Sequence, residues 1–308
     1  MKLTHCVESQ QFSKDILFKL FLKADELRKG NAKDIDEKIL KGKILASLFY
    51  EPSTRTRLSF ESAMLKLGGK VIGTENAREF SSAVKGESLE DTARVISSYC
   101  DVVVLRHNEE GSAKLFSEVS SVPVINAGDG KGQHPTQALL DVYTIYREFR
   151  KIDGLKIAMV GDLASGRTVR SLCYLLAKFE DIEIIFVSPE NLRMSENIKN
   201  YLTDKGINFR EENDLNKILS EVDVVYMTRI QKERISLEDY EKAKGKFVIN
   251  EGNINLLKEN SIIMHPLPHV EEINLSVEIE KNDKRVAYFR QAENGLYLRM
   301  ALLIYMLS

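Results

Sequence analysis

Ser53-Thr54-Arg55-Thr56-Arg57 alternates hydroxyls with guanidiniums at the junction between a short apolar run and a stretch of helical periodicity. Helix starts expose unpaired N–H groups and a partial positive charge, so they bind anions. Hydroxyls from Ser53, Thr54 and Thr56 add neutral donors, and the planar fork of Arg55 suits a phosphate. A helix cap needs only one Ser or Thr, so three hydroxyls interleaved with two arginines exceed capping. Further along, Phe80–Ser88 is a polar loop carrying Ser81, Lys85 and Gly86. A lysine on such a loop can fold over an anion and exclude water, although most loop lysines are merely solvated. Arg106 ends the apolar run DVVVLR, and in open parallel sheets ligands sit beyond the carboxyl ends of strands.

His134-Pro135-Thr136-Gln137 follows the glycine-rich Gly128–Gly132 and again stands where a loop enters a helix. An imidazole there can donate to a carbonyl oxygen as negative charge develops on it, and the Gln137 amide can meet an NH₂ group. In the second half, Arg167-Thr168 opens a helix after Gly161–Gly166, and Thr228-Arg229-Ile230-Gln231 ends the run DVVYMTR. Guanidinium pairs carboxylate bidentately, so two arginines at successive strand ends point to a dicarboxylate. The GxGxxG spacing is absent, which disfavours a dinucleotide site. Finally, His265-Pro266-Leu267-Pro268 follows SIIM, and its prolines leave carbonyls free to accept from an NH₂ group, or simply make a rigid turn.

The elements that position these groups follow from periodicity. Apolar runs at 43–50, 71–74, 101–106 and 122–126 alternate with helical stretches, and a long helix starts at Pro135 and runs to Arg150. The rhythm restarts with strands at 156–163, 182–189 and 223–229, a helix over 167–179 and another over 191–205, then short strands at 245–250 and 261–265. The last residues, 294–308, form an apolar helix. This is an α/β pattern of two similar-sized domains, each a parallel sheet flanked by helices, with the C-terminal helix returning to the first domain. The expected boundaries are 1–134 plus 290–308 for the first domain, a linking helix over 135–150, and 151–289 for the second.

Composition excludes several classes. The 308 residues hold 44 Lys+Arg against 46 Asp+Glu, a net charge of −2, so no basic field supports nucleic acid binding. Cys6, Cys100 and Cys173 are few and scattered, with no metal-ligand spacing, which points to a reducing cytoplasm rather than a disulfide framework or zinc site. The N-terminus lacks a signal-peptide pattern, and nowhere do roughly 18 apolar residues run together as a membrane helix needs.

Taken together, STRTR, the Ser81/Lys85 loop, HPTQ and HPLP, in this order, resemble the aspartate and ornithine carbamoyltransferase family, over nearly the whole chain. Pro266, Lys85 and the absence of an ornithine-type SMG loop place the resemblance on the aspartate side of the family. It implies transfer of the carbamoyl group of carbamoyl phosphate to the α-amine of L-aspartate, the step that opens pyrimidine synthesis, with no metal or other cofactor. Carbamoyl phosphate would meet Ser53, Thr54, Arg55, Thr56, Ser81, Arg106, His134, Gln137, Leu267 and Pro268. Aspartate would meet Lys85, Arg167, Thr168, Arg229 and Gln231. Arg55, Thr56, Lys85, Arg106 and His134 would be catalytic, and Glu51 with Arg167 and Arg234 would steady domain closure. The resemblance further implies a homotrimer with shared active sites, and leaves open an association with zinc-containing regulatory chains. His269 departs from the family, where many members carry Arg after HPLP. Two other readings remain at this stage: a transferase using ornithine or another acceptor, and a non-catalytic two-domain anion-binding protein.

Overall fold

A computed structural model describes residues 3–29, 36–80, 86–230 and 245–308. Ser81, Lys85, Gln231 and Arg234 lie outside the described residues. Two compact units emerge, residues 1–143 with 293–308, and residues 144–292. The division falls inside the helix that starts at Pro135 and close to the start of the last helix.

In the first unit, strands β1 (Ile44–Phe49), β2 (Lys70–Glu75), β3 (Val102–His107) and β4 (Val124–Asp129) form a parallel sheet in the order β2-β1-β3-β4. Helices α1 (Lys14–Lys29), α2 (Thr54–Lys66), α3 (Ala77–Phe80), α4 (Leu89–Ser97), α5 (Ser112–Val119) and α6 (Pro135–Phe149) belong to this half of the chain. All six residues of β4 and five of the six in β1 are buried, as continuous apolar strands between helical layers should be. Edge strand β2 is mostly exposed or half-buried. Phe116 of α5 sits with Ala46, Val103, Leu105 and Val124 in the core of this unit, fully buried.

The second unit repeats the design. Strands β5 (Lys156–Val160), β6 (Glu183–Val187), β7 (Asn208–Glu212), β8 (Val224–Met227) and β10 (Ile262–Met264) form a parallel sheet ordered β10-β8-β5-β6-β7. Helices α7 (Arg167–Leu176), α8 (Glu196–Asp204), α9 (Leu215–Ile218) and α10 (Val277–Asn282) follow, and α11 (Tyr288–Leu307) closes the chain. Most of α11 belongs to the first unit, where Arg28 donates to Asn294 (3.0 Å) and Glu293 (2.9 Å).

Several local readings of the sequence are corrected. β7 is a strand that apolar periodicity misses, because NFREE is a polar edge whose charged side chains pair with neighbours instead of filling a core. The run 245–250 does not join the main sheet. Its Ile249-Asn250 (β9) pairs with Ile273-Asn274 (β11) as a separate two-stranded ribbon. The helix expected over 191–205 divides into a 3₁₀ turn at Glu190–Leu192 and α8. Helix α2 starts at Thr54, which makes Ser53 its N-cap and places Thr54, Arg55, Thr56 and Arg57 in its first turn. No helix among the described residues is long and apolar enough to cross a membrane.

Candidate active site

In each sheet the chain steps to one side and then returns to build the other, and both sets of chemistry-bearing residues stand at that reversal. β1, β3 and β4 are neighbours in the first unit, and their carboxyl ends lead to STRTR, Arg106 and HPTQ. β5, β8 and β10 are neighbours in the second, and their carboxyl ends lead to Arg167, Arg229 and HPLP. Such switch points are where open α/β sheets bind ligands.

Ser53 caps α2 through its backbone: its carbonyl accepts from the Arg57 N–H (3.1 Å), while its hydroxyl makes no capping bond. The first turn of α2 contains no carboxylate, so its exposed N–H groups and helix charge stay uncancelled. Thr56 is buried, whereas Arg55 is exposed. The two arginines of the motif differ sharply. Arg57 donates to Glu61 from Nε (2.9 Å) and also pairs with Glu75. Partial desolvation lowers the Arg57 pKa, but the two carboxylates outweigh it and raise the guanidinium overall. Arg55 has no carboxylate partner among the described residues, and desolvation lowers its pKa with nothing opposing. A partly desolvated cation without a counter-ion is what an anion site requires.

Arg106, largely buried, is held from two sides. Its Nη2 lies 2.9 Å from Glu51 Oε2, and its Nη1 donates to the Ala127 carbonyl on β4 (3.1 Å). The loop after β1 is drawn to the same place by the Tyr50 N–H, which donates to the Arg106 carbonyl (2.9 Å). Glu51, read from the resemblance as a domain-closure residue, thus has an ionic partner within its own unit.

α6 begins at Pro135, with the His134 carbonyl accepting from the N–H groups of Gln137 (3.0 Å) and Ala138 (3.2 Å). His134 and Gln137 are buried, and the His134 Nδ1 lies 3.4 Å from the Thr136 hydroxyl. The Gln137 amide is oriented by Asp141: Nε2 donates to Oδ1 at 2.9 Å, one helical turn on. A carboxylate only accepts, so the amide NH₂ must face it and the Gln137 Oε1 is turned the other way as an acceptor.

In the second unit, Gly161 makes the tight exit from β5. It has φ +115, and an added Cβ would stand 2.3 Å from the Thr228 carbonyl oxygen on the neighbouring strand. Thr228 in turn donates from N–H (2.8 Å) and Oγ1 (2.7 Å) to the Val160 carbonyl, fixing the strand ends that carry Arg167 and Arg229. Gly161→Ala is expected to destabilise the protein by about 3 kcal/mol or more, since strained φ and a backbone clash add. The midpoint of denaturant unfolding measures it. Arg167 and Thr168 form the first turn of α7, which also lacks a carboxylate, and are half-buried like Arg229.

The HPLP turn is fixed by His265. The Leu267 N–H donates to Nδ1 (2.7 Å), so the ring proton sits on Nε2, which lies 2.9 Å from Glu272 Oε1. Leu267 takes a positive φ of 56 and its bond to Pro268 is cis. Burial pushes the Glu272 carboxyl up, but the bond from His265 and the Val270 N–H (3.1 Å) outweigh it and hold the pKa below its ordinary value. A depressed carboxylate stabilises the fold above its unfolded pKa of about 4.3, and that contribution fades as pH falls through the folded value. Glu272→Gln should therefore cost about 1–2 kcal/mol at neutral pH, with the gap to wild type closing below about pH 4. Urea unfolding at several pH values reads this. His269, beyond the turn, faces Glu280 (3.3 Å) and packs by the Tyr288 ring (5.2 Å between centroids). Among the described residues no group of three or more His, Cys, Asp and Glu side chains is arranged to hold a metal ion.

Comparison with known proteins defines the class. Residues 4–147 match the family described as aspartate/ornithine carbamoyltransferase, carbamoyl-P binding domain, and residues 153–306 match the Asp/Orn binding domain of the same family. The chain belongs to the aspartate/ornithine carbamoyltransferase family and is a carbamoyltransferase. It is 57% identical over 304 residues to aspartate carbamoyltransferase 2, chloroplastic, of Pisum sativum, covering 98% of this chain and 78% of that protein. It is 48% identical over 302 residues to the aspartate carbamoyltransferase catalytic subunit of Methanococcus vannielii, covering 98% and 97%. Among solved structures, the catalytic subunit of M. jannaschii aspartate transcarbamoylase superposes with a TM-score of 0.89 at 48% identity, covering 99% and 98%. The Trypanosoma cruzi enzyme in complex with N-(phosphonacetyl)-L-aspartic acid gives a TM-score of 0.92 at 37% identity, covering 100% and 97%. These likenesses establish the two-sheet α/β fold, C-terminal helix included.

Proposed function

We propose that the chain transfers the carbamoyl group of carbamoyl phosphate to the α-amine of L-aspartate, yielding N-carbamoyl-L-aspartate and phosphate at the start of pyrimidine synthesis. The observation that carries the reading is the convergence of β1, β3 and β4 in one sheet, whose ends bear Arg55 without a carboxylate partner among the described residues, anchored Arg106 and His134. Carbamoyl phosphate is assigned to Ser53, Thr54, Arg55, Thr56, Arg106, His134 and Gln137, with Ser81 and the carbonyls of Leu267 and Pro268 as further contacts. Aspartate is assigned to Arg167, Thr168 and Arg229, with Lys85 and Gln231.

In the proposed step the uncharged amine attacks the carbamoyl carbon, a C–N bond forms, and the C–O bond to phosphate breaks with its electron pair leaving on phosphate. The amine proton passes to the departing phosphate, a base already at hand. Thr56, Arg106 and His134 polarise the carbonyl, the imidazole donating in the tautomer that carries its proton on Nε2; its Nδ1 lies 3.4 Å from the Thr136 hydroxyl. Arg55 and Lys85 stabilise the charge on the leaving group. Gln137 Oε1 accepts from the carbamoyl NH₂. Orientation and electrostatic stabilisation supply the rate, without a covalent intermediate.

The acceptor reading rests on two guanidiniums at the ends of the paired strands β5 and β8, which suit the two carboxylates of aspartate. With carbamoyl phosphate fixed, phosphate release should favour L-aspartate over L-ornithine by about 10³-fold or more in kcat/KM. Comparable rates would overturn the acceptor, and no phosphate release with either amine would return the chain to an anion-binding role. We further propose a homotrimer, by family likeness, with Glu51 and Arg234 acting in closure; light scattering of the pure chain decides the assembly. The plant relatives are named chloroplastic. The free thiols of Cys6, Cys100 and Cys173 favour a reducing compartment such as the cytoplasm.

A further inference from the structure

The C-terminal helix carries a buried cation that the reaction as described does not use. Arg299 is only 5% exposed, and burial lowers its pKa to about 10, with the charge of Asp141 opposing the shift. Its Nη1 donates to the Ser59 hydroxyl at 2.7 Å, and its guanidinium stacks over Phe60, 5.0 Å from the ring centroid. Ser59 passes the interaction on, donating from Oγ to the carbonyl of Thr56 at 3.0 Å. Its neighbour in charge, Asp141, holds the Gln137 amide. One guanidinium therefore reaches toward both helix starts assigned to carbamoyl phosphate, the first turn of α2 and that of α6.

A purely structural strut between α11 and α2 would be simpler to build from apolar residues, because a buried charge carries a desolvation cost that packing alone avoids. Here the cost is not fully relieved, since Arg299 Nε has no hydrogen-bond partner among the described residues. The chain also spends a glycine on the arrangement. Gly295 lies one turn earlier on α11, and a Cβ there would meet Arg299 Nη1 at 2.8 Å. Glycine is otherwise unfavourable inside a helix. The sequence thus keeps both a buried cation and the space that lets it lie against Ser59.

We infer that Arg299 is a positioning residue for carbamoyl phosphate: through Ser59 it sets the Thr56 turn of α2, and its charge attracts Asp141, the carboxylate that holds Gln137. This deepens the proposed function and rests on it. Arg299 does not touch the substrate; it fixes the groups that do, as outer partners of a site commonly do.

The test is steady-state kinetics on the full chain, with carbamoyl phosphate and aspartate varied separately, beside unfolding midpoints. Arg299→Met and Ser59→Ala should each raise the KM for carbamoyl phosphate about tenfold while leaving the KM for aspartate within about twofold. The double variant should be no worse than Arg299→Met alone, because the two residues act in series. Should Arg299→Met fail to fold, Gly295→Ala decides. Its methyl meets the tip of Arg299 at 2.8 Å and the end of the Leu140 side chain at 3.1 Å, with no backbone in the way, so it should fold, displace the guanidinium and raise the same KM by about threefold or more. A lower unfolding midpoint with an unchanged KM for carbamoyl phosphate would overturn the inference, as would additive single effects or a Gly295→Ala enzyme with wild-type kinetics. Wild-type protein that releases no phosphate with any amine would instead overturn the underlying function.

Discussion

Arg55→Ala is expected to lower kcat by about 10²-fold or more, the scale for removing an electrostatic stabiliser of developing charge. The side chain stands in the first turn of α2, beside N–H groups that no carboxylate of that turn offsets. Desolvation works on it unopposed, so its charge is available to a phosphate rather than spent on a neighbour. Arg57→Ala is the matched control. That guanidinium already belongs to Glu61 and Glu75, and these partners are partly exposed. Its loss should cost under about 1 kcal/mol of stability and leave kcat within about threefold. Stopped-time phosphate assays on both variants separate the roles, and an equal loss in the two would show that general positive charge, not the Arg55 position, matters.

The second large effect is expected at Arg106. Arg106→Met keeps the length of the buried stem but removes the group proposed to polarise the carbamoyl carbonyl, and kcat should fall by about 10²- to 10³-fold. Glu51→Gln leaves the cation in place while removing the charged half of its 2.9 Å anchor. The anchor on the Ala127 carbonyl survives, so the loss should be about tenfold. Measured kcat for the two variants should keep that order. An Arg106→Met enzyme within about threefold of wild type would remove Arg106 from the transition state.

Much of the architecture was legible in the sequence because the inner strands of both sheets are apolar, short and separated by helical spacing. The start of α6 at Pro135 could be read directly, since proline at a helix start is both tolerated and informative. β7 could not be read this way, because an edge strand meets solvent and needs charges rather than valines. Nor does composition reveal that Ile249-Asn250 leaves the main sheet; only pairing decides that. At the site, the motif Ser53–Arg57 marked a candidate segment but could not rank its arginines. The spacing of Arg57 to Glu61 is a visible i,i+4 pair that signals its neutralisation. The partner on β2, Glu75, is visible only in three dimensions. Arg299 was missed for a related reason. Within an apolar C-terminal helix a single arginine reads as the polar edge of the helix, and only packing shows it buried against Ser59 and Phe60. Gly295, four residues earlier, was the available signal.

The most direct test of the anion-binding account is a crystal of the full chain soaked briefly with carbamoyl phosphate. The phosphate should rest on the first-turn N–H groups of α2 with Arg55 against it, and the carbonyl oxygen should face Thr56, Arg106 and His134. Clear density for the ligand bound elsewhere, with the start of α2 empty, would contradict the account.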